Sequence, residues 1–142
     1  MPGLFTGYHA MSTRSVFLGA GAFAAMLAVA AGAFGAHVLR DTLAPRMLEV
    51  YLTAAQYQMY HALALIATGL LCGPGAGARL VAASGWCFIV GIALFSGSLF
   101  ALALSGISAL GMITPLGGVL FIVGWALLFF GTIRRGDGER GD

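Results

Sequence analysis

The side chains best suited to chemistry in this sequence lie within long uncharged stretches. Thr53, Gln56 and Tyr60 follow Glu49 at steps of four, three and four, which puts them on one helical face; Tyr57 and His61 form an adjacent i, i+4 pair. An imidazole, an amide and two phenols facing acyl chains would lack partners that lipid cannot supply. Such groups tend to face a bundle interior or a water-filled cavity. The expectation is therefore an inward-facing, hydrogen-bonded cluster of Gln56, Tyr57, Tyr60 and His61, completed by Ser96 or Ser98 from a neighbouring helix. That cluster would serve either as internal glue or as a path for protons, since imidazole exchanges a proton near neutral pH.

A shared metal or haem on His37 and His61 is disfavoured by depth. His37 ends its apolar stretch, whereas His61 lies about nine residues into the next, so the rings differ by roughly 13 Å in height at the helical rise. Antiparallel folding instead brings Glu49 beside His37 as a candidate interfacial ion pair. His9, in a patternless N-terminal stretch, reads as a solvated residue. Cys72 and Cys87 have no CxxC or Cys/His ligand spacing, which argues against a disulfide scaffold and a structural zinc site. No nucleophile-base constellation, paired intramembrane carboxylates, HExxH or phosphate-binding loop is present, so neither an enzyme nor a cofactor is expected.

The elements that must hold these residues follow from where charge is absent. Of 142 residues, 60% are hydrophobic and only 8% charged, far below the quarter usual for soluble chains, which rules out a water-soluble globule. A net charge of +2 leaves no basic surface for a run of phosphates, and nucleic acid is not an expected partner. A charge in hydrocarbon costs about 2.5–3.5 kcal/mol, so uncharged stretches mark spans. Residues 15–36, 52–72, 80–104 and 115–133 each approach or exceed the length a helix needs to cross a bilayer. Residues 40–46 and 73–79 carry turn chemistry, and 105–114 form a weakly polar connection. Thr114-Pro115 reads as a helix start, with Thr114 as the cap.

The domain expectation is an N-terminal extension at 1–14, one four-span domain at 15–133, and a charged disordered tail at 134–142. Arg14 and the small residues near Ala28 also resemble a signal peptide. The apolar run continues through Ala36 and three more follow, which favours a retained span; Met1 and Met11 are both candidate starts. Arg14, Arg79, Arg134, Arg135 and Arg140 fall on one side of a four-span chain, against Arg40 and Arg46 on the other. The richer side, with both termini, is expected to be cytoplasmic.

Helices pack in lipid by close backbone approach, so small residues recurring every seven positions mark seams. Each span carries such a line: Gly21/Ala28/Gly35, Ala55/Ala62/Gly69, Ser84/Gly91/Ser98 extended by Ser105, and Gly117/Gly124/Gly131. The predicted fold is an all-α membrane protein, an antiparallel four-helix transmembrane bundle. The Phe95-Ser96-Gly97-Ser98 run reads as glue between helices, and Trp86 and Trp125 as interfacial or core aromatics.

Five strings occur in a specific order: Gly32-Ala33-Phe34-Gly35-Ala36-His37, Tyr57-Gln58-Met59-Tyr60-His61-Ala62-Leu63-Ala64, Leu94-Phe95-Ser96-Gly97-Ser98-Leu99, Thr114-Pro115-Leu116-Gly117-Gly118 and Gly124-Trp125. From about Met11 to Arg135 the chain resembles the YgdD-like family of small membrane proteins, also called domain of unknown function 423. The resemblance implies a bacterial inner-membrane protein with several helices and brings no reaction, ligand or partner. Two function classes remain. One is a non-enzymatic component that contacts membrane lipid and binds further copies of itself or another membrane protein. The alternative is a conduit for a proton or small polar solute lined by the second and third helices. Neither internal repeats nor broken helices are evident, which favours the first.

Overall fold

The computed structural model describes residues 12–138, which form four long helices. The helices are α1 (Thr13–His37), α2 (Pro45–Leu71), α3 (Ala78–Ser105) and α4 (Thr114–Gly138). Short 3-10 turns at Leu39–Asp41 and Ser108–Met112 occupy the first and third connections. Local chemistry sets the ends. Ser12 Oγ accepts the Ser15 N–H to cap α1, and Pro45 opens α2, where its missing N–H has no helical role to fill. Gly77 (φ 80°) and Gly106 (φ 72°) flank α3 in the left-handed region that residues with a Cβ avoid.

Two boundaries depart from the sequence expectation. α2 starts at Pro45 rather than near residue 52, because charged residues such as Arg46 and Glu49 are compatible with an exposed first turn of helix and do not limit where it begins. α4 continues past residue 133 to Gly138, into the stretch expected as a tail. The Arg135 guanidinium reaches back to the carbonyls of Leu71 and Pro74, and these bonds hold the last turns of α4 against the end of α2. Residues 1–11, including His9, and 139–142 lie outside the described residues.

Each helix packs antiparallel to the next. Gly21 lies against Ala62 and Ile66, and Gly35 against Tyr51, so rising positions on α1 meet falling ones on α2. The same reversal pairs Val81 with Gly131, Phe88 with Gly124 and Phe95 with Gly117 across α3 and α4. Extensive seams join α1 to α2, α2 to α3 and α3 to α4, and no comparable seam joins α1 to α4. The two central helices therefore carry most of the packing, and α1 and α4 flank them.

Every small residue of the four heptad lines is buried, apart from the Ser105 extension, which is exposed. Their size is what permits the approach. A Cβ at Gly21 would stand 2.7 Å from Ile66 Cγ1, one at Gly91 2.6 Å from the Phe121 ring, and one at Gly124 2.7 Å from the Phe88 ring. The main apolar cluster gathers Phe17, Leu65, Val81, Phe88, Phe121 and Leu128 from all four helices. A smaller one at the other end joins Leu39, Tyr51 and Ala103. By length and apolarity, α1, α3 and the segment containing α4 are able to cross a membrane; α2 is the more polar helix.

Candidate functional site

α2 carries the polar residues, and its 3.6-residue period divides them between two faces. His61 points inward and is 5% exposed. Its Nδ1 lies 2.8 Å from the Tyr57 carbonyl oxygen one turn back, so this nitrogen carries the proton and donates. Its Nε2 then accepts from Trp125 Nε1 of α4 at 3.3 Å. The two bonds agree on one neutral tautomer. The imidazole also stacks on Phe121, with ring centroids 3.3 Å apart and planes within 5°, while Phe88 from α3 approaches at 5.8 Å. One side chain thus ties the second helix to the fourth and fills the space between them.

A cavity of about 560 Å³ adjoins this contact, lined by Tyr57, His61, Phe95, Pro115, Ile122 and Trp125 among others. Its walls are mainly hydrocarbon and aromatic. No acidic or basic side chain other than the His61 imidazole lines it, which suits an apolar occupant better than an ion.

The expected inward cluster of Gln56, Tyr57, Tyr60 and His61 is not what forms. Gln56 and Tyr60 lie on the outward face, where Gln56 Nε2 donates to Tyr60 Oη at 2.6 Å. Tyr57 is 39% exposed, with its ring 4.8 Å from Phe95 and 6.1 Å from His61. Only His61 of the four is buried. Neither serine of α3 completes a cluster with α2. Ser98 Oγ donates to the Phe95 carbonyl at 3.0 Å and meets Thr114 Oγ1 at 2.7 Å, fastening the start of α4 to α3. Ser96 is fully buried with its hydroxyl unpartnered. His37 and Glu49 are both exposed, and neither makes a side-chain hydrogen bond among the described residues. No group of three or more His, Cys, Asp or Glu side chains able to hold a metal ion occurs among those residues.

Two functional contacts escape the sequence reading. Gln58, between the expected cluster members, is the buried amide of α2 and donates to the Ala24 carbonyl of α1 at 2.9 Å. Trp125 supplies the donor to His61. A usable signal for the latter lies in depth, because α2 and α4 run in the same direction and His61 and Trp125 stand nine and ten residues into their apolar stretches. For Gln58 the signal is its register: it lies three residues after Ala55 and four before Ala62, on the face of the small-residue line, and Gln56 does not.

Comparison with known proteins places the chain among membrane proteins of one family. The family model DUF423, a protein of unknown function, matches residues 31–118. A UPF0382 membrane protein of Staphylococcus saprophyticus is 50% identical over 119 residues, covering 84% of this chain and 98% of the relative. The UPF0382 membrane protein YwdK of Bacillus subtilis is 45% identical over 119 residues, 84% of this chain and 97% of the relative. One from Staphylococcus epidermidis is 47% identical over the same share of this chain and 96% of its own. No solved structure matches.

Proposed function

This chain belongs to the DUF423 family, and from that premise we propose that it is a non-enzymatic structural or interaction component of the bacterial inner membrane, with all four helices crossing and both termini cytoplasmic. The relatives named as membrane proteins and the three strongly apolar helices support membrane residence. The fourth crossing is supported by α2 being 27 residues long and sitting between α1 and α3 along antiparallel seams. Cytoplasmic termini follow from five arginines on their side against two on the other.

One observation carries the choice of function class: both ring nitrogens of His61 are committed within the protein, to the Tyr57 carbonyl and the Trp125 indole. A relay histidine must accept a proton on one nitrogen and release it from the other. Here the accepting nitrogen is engaged by an indole N–H, which donates a hydrogen bond but neither releases its proton nor takes one up near neutral pH. The ring acts as a strut between helices. The conduit reading retains one supporting feature, the cavity beside His61, and the test addresses it directly. Purified protein in liposomes bearing a pH gradient is compared with His61→Asn and with empty vesicles. Equal proton leak in all three is the expected result. A leak carried by the parent and abolished by His61→Asn overturns the structural reading.

A further inference from the structure

Outward-facing residues of α1 and α4 are what acyl chains demand: Phe23, Met26 and Val29 on one, Ile122, Phe129 and Phe130 on the other. α2 differs. Its outward line runs Arg46, Glu49, Thr53, Gln56, Tyr60, Leu63, Ala67 and Leu70, at alternating steps of three and four, and all but half-buried Thr53 are exposed. The spacing follows from the opposite face being buried. The chemistry does not.

The Gln56–Tyr60 bond uses one donor of the amide and leaves its carbonyl oxygen, its second N–H and the phenol proton without partners among the described residues. Gln56 stands four residues past the start of its uncharged stretch, about 6 Å by helical rise, and Tyr60 one turn further, where lipid tails offer these groups no partner. Something that hydrogen-bonds must cover this line.

We propose that the outward face of α2 is the interface with a second copy of this chain, α2 against α2 about a two-fold axis along the membrane normal. The inference rests on the reading that α2 crosses the membrane. Two copies in one bilayer share orientation and depth, so their α2 helices are parallel and equal positions face one another. The line is self-complementary under that symmetry. An amide beside its own copy offers one donor to one acceptor in both directions, and of the paired phenols one donates its hydroxyl proton to the oxygen of the other. At the mouth of the interface Glu49 meets Arg46 of the partner, about one turn away along the axis and within reach of the long guanidinium side chain. Leu63, Ala67 and Leu70 continue the seam in apolar form. The repeat averages 3.5 residues, the period of parallel helix pairs, with polar positions from Arg46 to Tyr60 fixing the register and apolar ones beyond them. The apolar faces of α1 and α4 then remain toward lipid.

Single cysteines test this in native membranes, in a background with Cys72 and Cys87 replaced by serine. Leu63→Cys keeps the polar layer intact and lies on the proposed axis; Phe23→Cys and Phe129→Cys sit on the faces assigned to lipid. Mild oxidation is expected to give a disulfide-linked dimer of twice the chain mass at Leu63→Cys and not at the other two. Adding Gln56→Leu and Tyr60→Phe should lower that yield roughly threefold or more, the scale of one to two intramembrane hydrogen bonds. Dimer no stronger at Leu63→Cys than at Phe23→Cys, an adduct with the mass of a different protein, or a yield indifferent to the double change overturns the pairing. An alkaline carbonate wash separates this from the underlying premise. Protein retained in the pellet without the dimer defeats the pairing alone, whereas protein released by the wash defeats the membrane-spanning reading and the pairing with it.

Discussion

At the scale of single residues, inward polar groups are divided between those that bind across helices and those that do not. His61 and Gln58 each join α2 to a neighbour, and Ser98 joins α3 to Thr114. Removing His61 as His61→Leu leaves the Trp125 indole without an acceptor and is expected to lower stability by about 1–3 kcal/mol. His61→Asn, which retains hydrogen-bonding atoms, should lose less. Unfolding in detergent micelles ranks the two against the parent, and a His61→Leu protein as stable as the parent would remove the strut. Ser96 gives the opposite expectation. Its buried hydroxyl has no partner, so Ser96→Ala removes an uncompensated polar group and should leave stability unchanged or raised. A clear loss in Ser96→Ala would mean the hydroxyl has a partner after all. The sequence reading recognised that α2 polarity needed partners, yet three of its four α2 candidates are outward or partly exposed. Residues 56 to 61 cover more than a full turn of helix, so their shared polarity never required a shared face.

At the scale of elements, each helix presents its small-residue line to a neighbour. The residues facing those lines are large: Ile66 at Gly21, Phe121 at Gly91 and Phe88 at Gly124. Leucine at Gly91 or Gly124 would have to displace an aromatic ring held between helices, and overpacking of that kind costs about 1–3 kcal/mol. Either variant is expected to melt lower than the parent or to change its detergent size profile, while Val119→Leu, on an outward position of α4, should match the parent. Parent-like behaviour of both glycine variants would reduce the seven-residue lines to composition. These lines were legible because close approach demands small side chains wherever two backbones meet. The early start of α2 and the helical end of α4 were less so, since charge reports the limit of burial and a helix can run past that limit, with Pro45 opening α2 and the Arg135 side chain tying the end of α4 to the Leu71 carbonyl of α2.

For the whole molecule, the arginine asymmetry makes a topological prediction. With Cys72 and Cys87 replaced, a cysteine at Thr42, exposed between α1 and α2, should react with an impermeant maleimide added outside intact cells. A cysteine at Ala76, exposed between α2 and α3, should react only after the cells are opened. The reverse pattern inverts the orientation, and labelling of both from outside would show that α2 does not cross. The same experiment bears on the weakest crossing by hydropathy, because α2 owes its low apolarity to the outward line that the paired arrangement would cover.

The amino-acid sequence alone determined the number of helices, the turns between them, the faces that pack and the membrane character of the chain. Those properties depend on local quantities: uncharged length, turn-forming glycine and proline, and small residues at a fixed period. Only the tertiary structure decided that the Gln58 amide binds the Ala24 carbonyl of α1 and that Trp125 partners His61. In water, polarity separates outside from inside along a helix. In a membrane both the lipid-facing and the packed surfaces are apolar, so that contrast disappears, and the face of a polar residue is set by which neighbouring helix offers it a partner.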